Sequence, residues 1–213
     1  MRSLILIGAS GLAREVVAVL EASDAYKPVG FLDDDSSTHS SVVAGLPVFG
    51  GIDDAGDYAD SDFVVCTGRS RRSLVQRLQR LGIGESRYAT VVAPSAVVPA
   101  NCPVGQGSIV LSGVVLTADV SIGRHAVLMP RVVCTHDDRL GDYVTLCGGV
   151  VLGGSVIVGD DAYLGMNSSV RQNVRIAERA VLGMGAALLS DLPADETWAG
   201  NPAQPITHSG SRR

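Results

Sequence analysis

The chain has 213 residues, 46% of them hydrophobic and 18% charged, with four cysteines and a formal net charge of −5. That composition excludes a disordered polymer. Residues 1–90 carry 9 basic and 12 acidic groups and residues 91–213 carry 8 and 10, so neither half has the basic excess that nucleic-acid or membrane-surface binding needs.

Leu4–Ile7 is a buried-strand run too short for a signal peptide, and no stretch approaches the ~20 apolar residues of a membrane span. A reducing cytoplasm is therefore expected. Cys66, Cys102, Cys134 and Cys147 have no metal-site spacing, and no metal is expected. The run at Leu4 is followed by the glycine turn GASGLA (Gly8–Ala13) and by REVVAVLEA with helical spacing. Strand, glycine turn and helix open an α/β nucleotide-binding unit. A second strand is predicted over 29–32, ending at Asp33, Asp34 and Asp35. A third, 63–66, runs into Thr67-Gly68-Arg69-Ser70 and a helix to about Leu81. The dinucleotide fingerprint wants glycine at the first, third and sixth places, and here those are Gly8, Ser10 and Ala13. The helix N-termini after Gly11 and Ser70 either hold an anion on free backbone N–H groups or are tight turns alone.

From residue 92 the pattern changes. Every sixth residue, Val92, Val98, Val104, Val110 and onward to Leu188, falls in one register of 17 positions, all aliphatic except Cys134. Neither a helix (period ~3.6) nor a simple strand (period ~2) does this. A short fixed period means stacked coils of a parallel β-helix. With three hexads per coil of ~18 residues, coils sit ~4.8 Å apart, and residues 18 apart stack. Cys134 joins the buried column of Leu152, Val170 and Leu188. His136 stacks on Gly154, beside a second column of Thr135, Gly153 and Arg171. In CTHDD the neighbouring carboxylates suit a general-base histidine, although a solvated surface histidine fits the spacing too. His125 reads as a solvated surface residue with Tyr143 one coil on. The chain divides into 1–88 (α/β), 89–190 (coils) and 191–213, where Trp198-Ala199-Gly200-Asn201-Pro202-Ala203 closes one end of the solenoid and the α/β unit covers the other. The tail from Thr207 reads as disordered.

Hexads such as Ile122-Gly123, Leu140-Gly141 and Leu164-Gly165, with the closing GNPA, resemble the hexapeptide-repeat acyltransferases. GASGLAREV, FLDDD and VCTGRSRR narrow the resemblance to the branch that acetylates nucleotide-linked 4-amino sugars, with its sister sialic acid O-acetyltransferases. The resemblance spans residues 3–206. It implies an α/β Rossmann-like domain followed by a left-handed parallel β-helix, assembled as a homotrimer with acetyl-CoA between subunits. It implies His136 as catalytic base with Asp137 behind it, and cofactor contacts at Gly154, Gly183 and Met184. Arg171, with Arg175 and Arg179, reads as a CoA-phosphate contact or as part of a solvated basic face. Nucleotide-sugar contacts fall on Ser10, Gly11, Asp33, Asp34, Gly68 and Arg69. The implied reaction is N-acetylation; O-acetylation of sialic acid and a non-catalytic scaffold are the alternatives. A zinc-dependent hexapeptide-repeat anhydrase would need three converging histidines, and only His125 and His136 lie in the coils. Met129-Pro130 replaces an Asn-Thr pair of close relatives, Thr145 replaces a second histidine, and Leu12 replaces the histidine of a GASGH loop, which points to a different acceptor.

Overall fold

The computed structural model describes residues 1–68 and 70–206. Arg69 and the tail from Thr207, including the predicted disorder there, lie outside the described residues.

The N-terminal unit is a five-stranded sheet in the order β3-β4-β2-β1-β5: β1 (Arg2–Ile7), β2 (Tyr26–Leu32), β3 (Val42–Val43), β4 (Leu46–Gly50) and β5 (Asp62–Val65). All its pairings are parallel except the β3–β4 hairpin, whose two-residue turn puts Ala44 and Gly45 at positive φ, as tight hairpins require. Helices α1 (Gly11–Glu21) and α2 (Arg71–Arg80) cover opposite faces. Alternation along β1 shows this directly. Leu4 and Leu6 pack with Val16 and Leu20 of α1, while Ile5 and Ile7 pack with Val75 and Leu78 of α2. All four β1 residues are fully buried, which is why that run is continuously apolar. The predicted strands and both helices are present; the short β3–β4 hairpin carried too little pattern to be read.

Residues 91–199 wind into a three-sided parallel solenoid, closed by the antiparallel strand Gln204–Pro205 on Thr197–Ala199. Its faces carry two-residue strands such as Val127–Leu128, Val133–Cys134 and Arg139–Leu140. Each pairs in register with the strand 18 residues on: Val127 with Thr145, Val133 with Val151, Arg139 with Ile157. The coil arithmetic therefore holds, and the hexad residues from Val110 to Leu188 form one buried core. The corners have a period of their own. Every sixth residue from Gly107 to Gly185 has φ between 53° and 75°, a region that costs a non-glycine residue about 1–2 kcal/mol. Glycine, Asn and Asp take most of these corners, but His125, Arg131, Tyr143 and Arg179 are also held there.

Two readings are corrected. Val92, taken as the first inward hexad residue, is 37% exposed. It pairs with Val110 at the end of the stack, and no coil beyond it shields its side chain. The α/β unit does not sit over that end; it packs on the flank. Val91, Ile109 and Val127, the outward-facing partners of the first coils, are buried in the same cluster as Leu4, Leu6 and α1. At the far end Leu192 and Ala203 join the core, with Trp198 packed against it. Among the described residues no helix is long and apolar enough to cross a membrane.

Candidate functional site

His136 sits just before a forced corner. Because Asp137 is held at φ 63°, its carboxylate turns back onto its own neighbour, and Oδ2 lies 2.8 Å from His136 Nδ1. Successive residues on a flat strand would point apart. A carboxylate on Nδ1 fixes the tautomer with the proton there and leaves Nε2 free as an acceptor. Both side chains are open to solvent, 66% and 59% exposed. The ring lies flat against Gly154: a Cβ there would fall 2.3 Å from both Cε1 and Nε2. The stacking expected from the hexads is thus a direct contact. Gly154 O accepts from Asn173 N at 2.9 Å, and among the described residues no acceptor takes the Gly154 amide.

Only one of the two carboxylates after His136 reaches the ring. Asp138 turns inward and is fully buried. Its Oδ2 accepts from Thr135 N at 2.8 Å and its Oδ1 from Val156 N on the next coil at 2.9 Å. Burial pushes its carboxyl up to about 6, against the pull of those two amides. Thr135 Oγ1 donates to Leu152 O at 3.0 Å. Cys134 is fully buried and its thiol is pushed far up by desolvation, which removes it as a nucleophile.

Of the residues expected to hold CoA, Met184 and Arg171 are exposed, Gly183 is half-buried and Gly154 is buried. Met184 is 71% exposed and Met166, one coil before it, 51%; Met166 O accepts from Gly185 N at 2.8 Å. A Cβ on Gly183 would strike Ala199 Cβ at 2.6 Å, so that glycine serves the close approach of the terminal strand. Arg171 is exposed on the Thr135–Gly153 column. Of the other two arginines, Arg179 is engaged by Asp195 at 2.7 Å, and Arg175 is exposed.

The nucleotide-sugar candidates gather at the carboxyl ends of β1, β2 and β5, where open α/β sheets bind ligands. Several of them are braced from within. Ser10 Oγ caps α1 by accepting from Ala13 N at 3.3 Å and donates to Cys66 O at 2.6 Å. Asp33 accepts from Ala9 N at 2.6 Å and from Asp35 N at 2.8 Å. Asp34 pairs with Arg77 at 2.5 Å. Gly11 opens α1 and Gly68 is exposed, while Arg69 lies outside the described residues. Leu12 packs against the α1 core cluster, as does Met129.

Arg71, Thr145 and His125 have surroundings that the sequence pattern did not disclose. Arg71, at the start of α2, is 2% exposed. Its Nε donates to His125 O at 3.0 Å, and its Nη2 donates to Tyr143 O at 2.9 Å and to Thr145 Oγ1 at 2.6 Å. Burial lowers this guanidinium to about 10, so it stays charged at neutral pH. Thr145, the position of a second histidine in relatives, is therefore an anchor for a buried cation. With Arg72, Tyr143 and Tyr163 they line a cleft of about 400 Å³ between α2 and the coils. Nothing in TGRSRR distinguishes Arg71, the buried arginine, from half-buried Arg72. His125, expected at the surface, is 1% exposed. It stacks on Tyr143 at 5.2 Å and meets Tyr88 edge-on at 4.7 Å. Desolvation, then Arg124, drives it down to about 4. The flank packing of the α/β unit buries it, which hexad spacing alone does not encode. Among the described residues no group of three or more His, Cys, Asp or Glu is placed to hold a metal ion.

A family profile described as the PglD N-terminal domain matches residues 3–78. Comparison with curated protein sequences finds no match. Among solved structures the chain is similar to the acetyltransferase domain of PglB from Neisseria gonorrhoeae FA1090 in complex with acetyl coenzyme A. The two are 29% identical over 96% of this chain and 99% of that one, with a TM-score of 0.87. It is also similar to PerB from Caulobacter crescentus, in complex with CoA and GDP-perosamine, at 29% identity over 96% and 97% of the two chains and a TM-score of 0.87. WeeI from Acinetobacter baumannii AYE is 26% identical over 97% of this chain and all of its own, with a TM-score of 0.85. Fold, site and likenesses together support a hexapeptide-repeat sugar acetyltransferase.

Proposed function

We propose that the protein transfers an acetyl group from acetyl-CoA to the amino group of a nucleotide-linked amino sugar. The observation that carries this reading is the His136–Asp137 pair lying against Gly154. As the amine nitrogen attacks the thioester carbonyl, His136 Nε2 takes its proton, directly or through water. Asp137 orients the ring and stabilises the imidazolium. The Gly154 amide donates to the oxyanion, and the coenzyme A thiolate leaves. A thioester is already activated, so no enzyme nucleophile is needed. General-base help contributes roughly 10²–10⁴ in rate and one oxyanion donor about 10²–10³.

The cofactor reading rests on Gly154 against the His136 ring, with exposed Arg171 one coil beyond Gly153 and with Gly183 and Met184 further along. The sugar-nucleotide reading rests on Ser10, Gly11, Asp33, Asp34 and Gly68, with Arg69 assigned by the resemblance alone. The protein then works as a homotrimer. His136 lies at the corner of the 119–137–155–173 column, whereas Arg71 and Arg72 tie the α/β unit to the corner at Tyr143 and Asp161. A site that joins base and sugar loops therefore takes two corners, and a neighbouring subunit supplies the second. We infer a cytoplasmic setting, in keeping with four free cysteines, all buried.

The test is thiol release from acetyl-CoA against UDP-, GDP- and dTDP-linked amino sugars, with free sialic acid alongside. Release with one amino sugar supports the reading. Release with sialic acid alone makes the enzyme an O-acetyltransferase, and no release with any acceptor rejects both.

A further inference from the structure

A second six-residue column runs beside the hexad residues. Every sixth residue from Cys102 to Leu192 is buried, and the column holds Val, Ala, Ser, Cys and Leu with a single carboxylate, Asp138. A buried carboxylate without a cationic partner is a cost, and such costs concentrate at functional sites.

What Asp138 does to the coil is visible in the backbone. At neighbouring corners the residue after the inward one donates its amide to the inward residue of the next coil: Thr117 to Cys134 O at 3.1 Å, Gly141 to Val158 O at 2.8 Å, Gly153 to Val170 O at 2.9 Å. At Thr135 that amide goes to Asp138 Oδ2 instead, and Leu152 O takes the Thr135 hydroxyl. The other oxygen of Asp138 reaches across to Val156 N. One carboxylate thus grips the residue before His136 and the residue two beyond Gly154. Ser108 makes the same cross-coil bond to Ala126 N at 2.9 Å, without the bond along its own coil. The altered ladder occurs at the corner that carries His136.

We propose that Asp138 is a positioning residue, whose carboxylate joins Thr135 on one coil to Val156 on the next and so sets how the His136 ring lies against Gly154. This rests on the acetyl-transfer reading for its catalytic consequence, but not for its geometric one. A misplacement of about 1 Å costs on the order of 10²-fold in rate.

The test is a pair of variants in the full chain. Asp138→Val installs the column's commonest side chain. Thr135 N then recovers the ladder bond to Leu152 O, and Val156 N has the weaker local turn bond that Val150 makes to Cys147 O at 3.2 Å. Asp138→Ser keeps only the cross-coil bond, on the precedent of Ser108. The expected result is a melting temperature for Asp138→Val at or above that of the parent. Its kcat falls roughly 10- to 100-fold, KM for acetyl-CoA stays within about threefold, and Asp138→Ser recovers part of the loss. A structural role alone would lower the melting temperature and would not separate kcat from KM. That outcome, or an unchanged kcat in Asp138→Val, overturns the proposal. If the parent protein transfers no acetyl group at all, the functional reading fails. Crystal structures of parent and Asp138→Val then decide: a His136 ring moved off Gly154 upholds the positioning role, and an unmoved ring refutes it.

Discussion

Replacing Gly154 by alanine should abolish most activity while leaving the fold intact. The added Cβ would lie 2.3 Å from His136 Cε1 and Nε2 and 2.9 Å from Nδ1, far inside van der Waals contact. The obstacle is the end of a side chain that is 66% exposed, so the ring swings into solvent and the backbone stays in place. Gly154 is not among the left-handed glycines, so alanine meets no backbone strain there and stiffens the unfolded chain, a gain of about 0.4–1 kcal/mol. Losing the base from its station forfeits the general-base contribution, roughly 10²–10⁴ in kcat. The neighbour supplies the control. A Cβ on Gly153 meets Gln172 N at 2.7 Å and Val170 O at 3.1 Å, backbone atoms of the next coil that cannot swing aside. Gly153→Ala should therefore lower the melting temperature, whereas Gly154→Ala should not. Thiol release and thermal melts on both variants read the two effects separately. Activity of Gly154→Ala within threefold of the parent would refute the contact as the seat of catalysis.

Arg71→Met should destabilise the protein by about 2–4 kcal/mol, because it removes a buried guanidinium that ties α2 to the coils and strands its acceptors; a denaturation midpoint shifted by less than a tenth of the total would show that the cluster carries little. His125→Phe should remove an acid sensitivity. The folded pKa of about 4 lies below the ordinary imidazole value of about 6.5, so the unfolded chain binds the proton first and stability falls as pH drops from about 6.5 to about 4, by roughly 3 kcal/mol. Melts from pH 7 to pH 4 that decline equally in parent and variant would contradict this. Asp138 opposes it: its raised pKa contributes stability below 3.8 that is lost as pH rises through about 6. Cys134→Ala should keep at least a third of the activity, since the thiol is buried and the chemistry needs no enzyme nucleophile; a loss of 100-fold or more would reopen covalent catalysis.

The repeat was legible because one residue in six must face a shared core, and that demand leaves an unbroken trace from Val98 to Leu188. The same arithmetic brought His136 to Gly154, a contact the structure realises. It could not say which way Asp137 and Asp138 point, since that depends on the left-handed corner, and Asp and Asn mark only some corners. His125 and Arg71 were misread or unseen because the α/β unit buries them from the flank, and packing between units leaves no period in the chain. Asp138 had a trace that a second register would have found: it is the single carboxylate in the buried column from Cys102 to Leu192. The braced loop of Ser10 and Asp33 shows the opposite limit, for the residues that resemble ligand contacts also hold the loop together.

The role of His136 as base is the step on which the proposed acetyl transfer depends. It is tested most directly by thiol release from acetyl-CoA, at a saturating amino-sugar nucleotide, in the parent and in His136→Ala. Turnover in the parent and at least a ~100-fold lower kcat in the variant are expected, with its assembly unchanged by light scattering. Near-parental turnover in His136→Ala would contradict it.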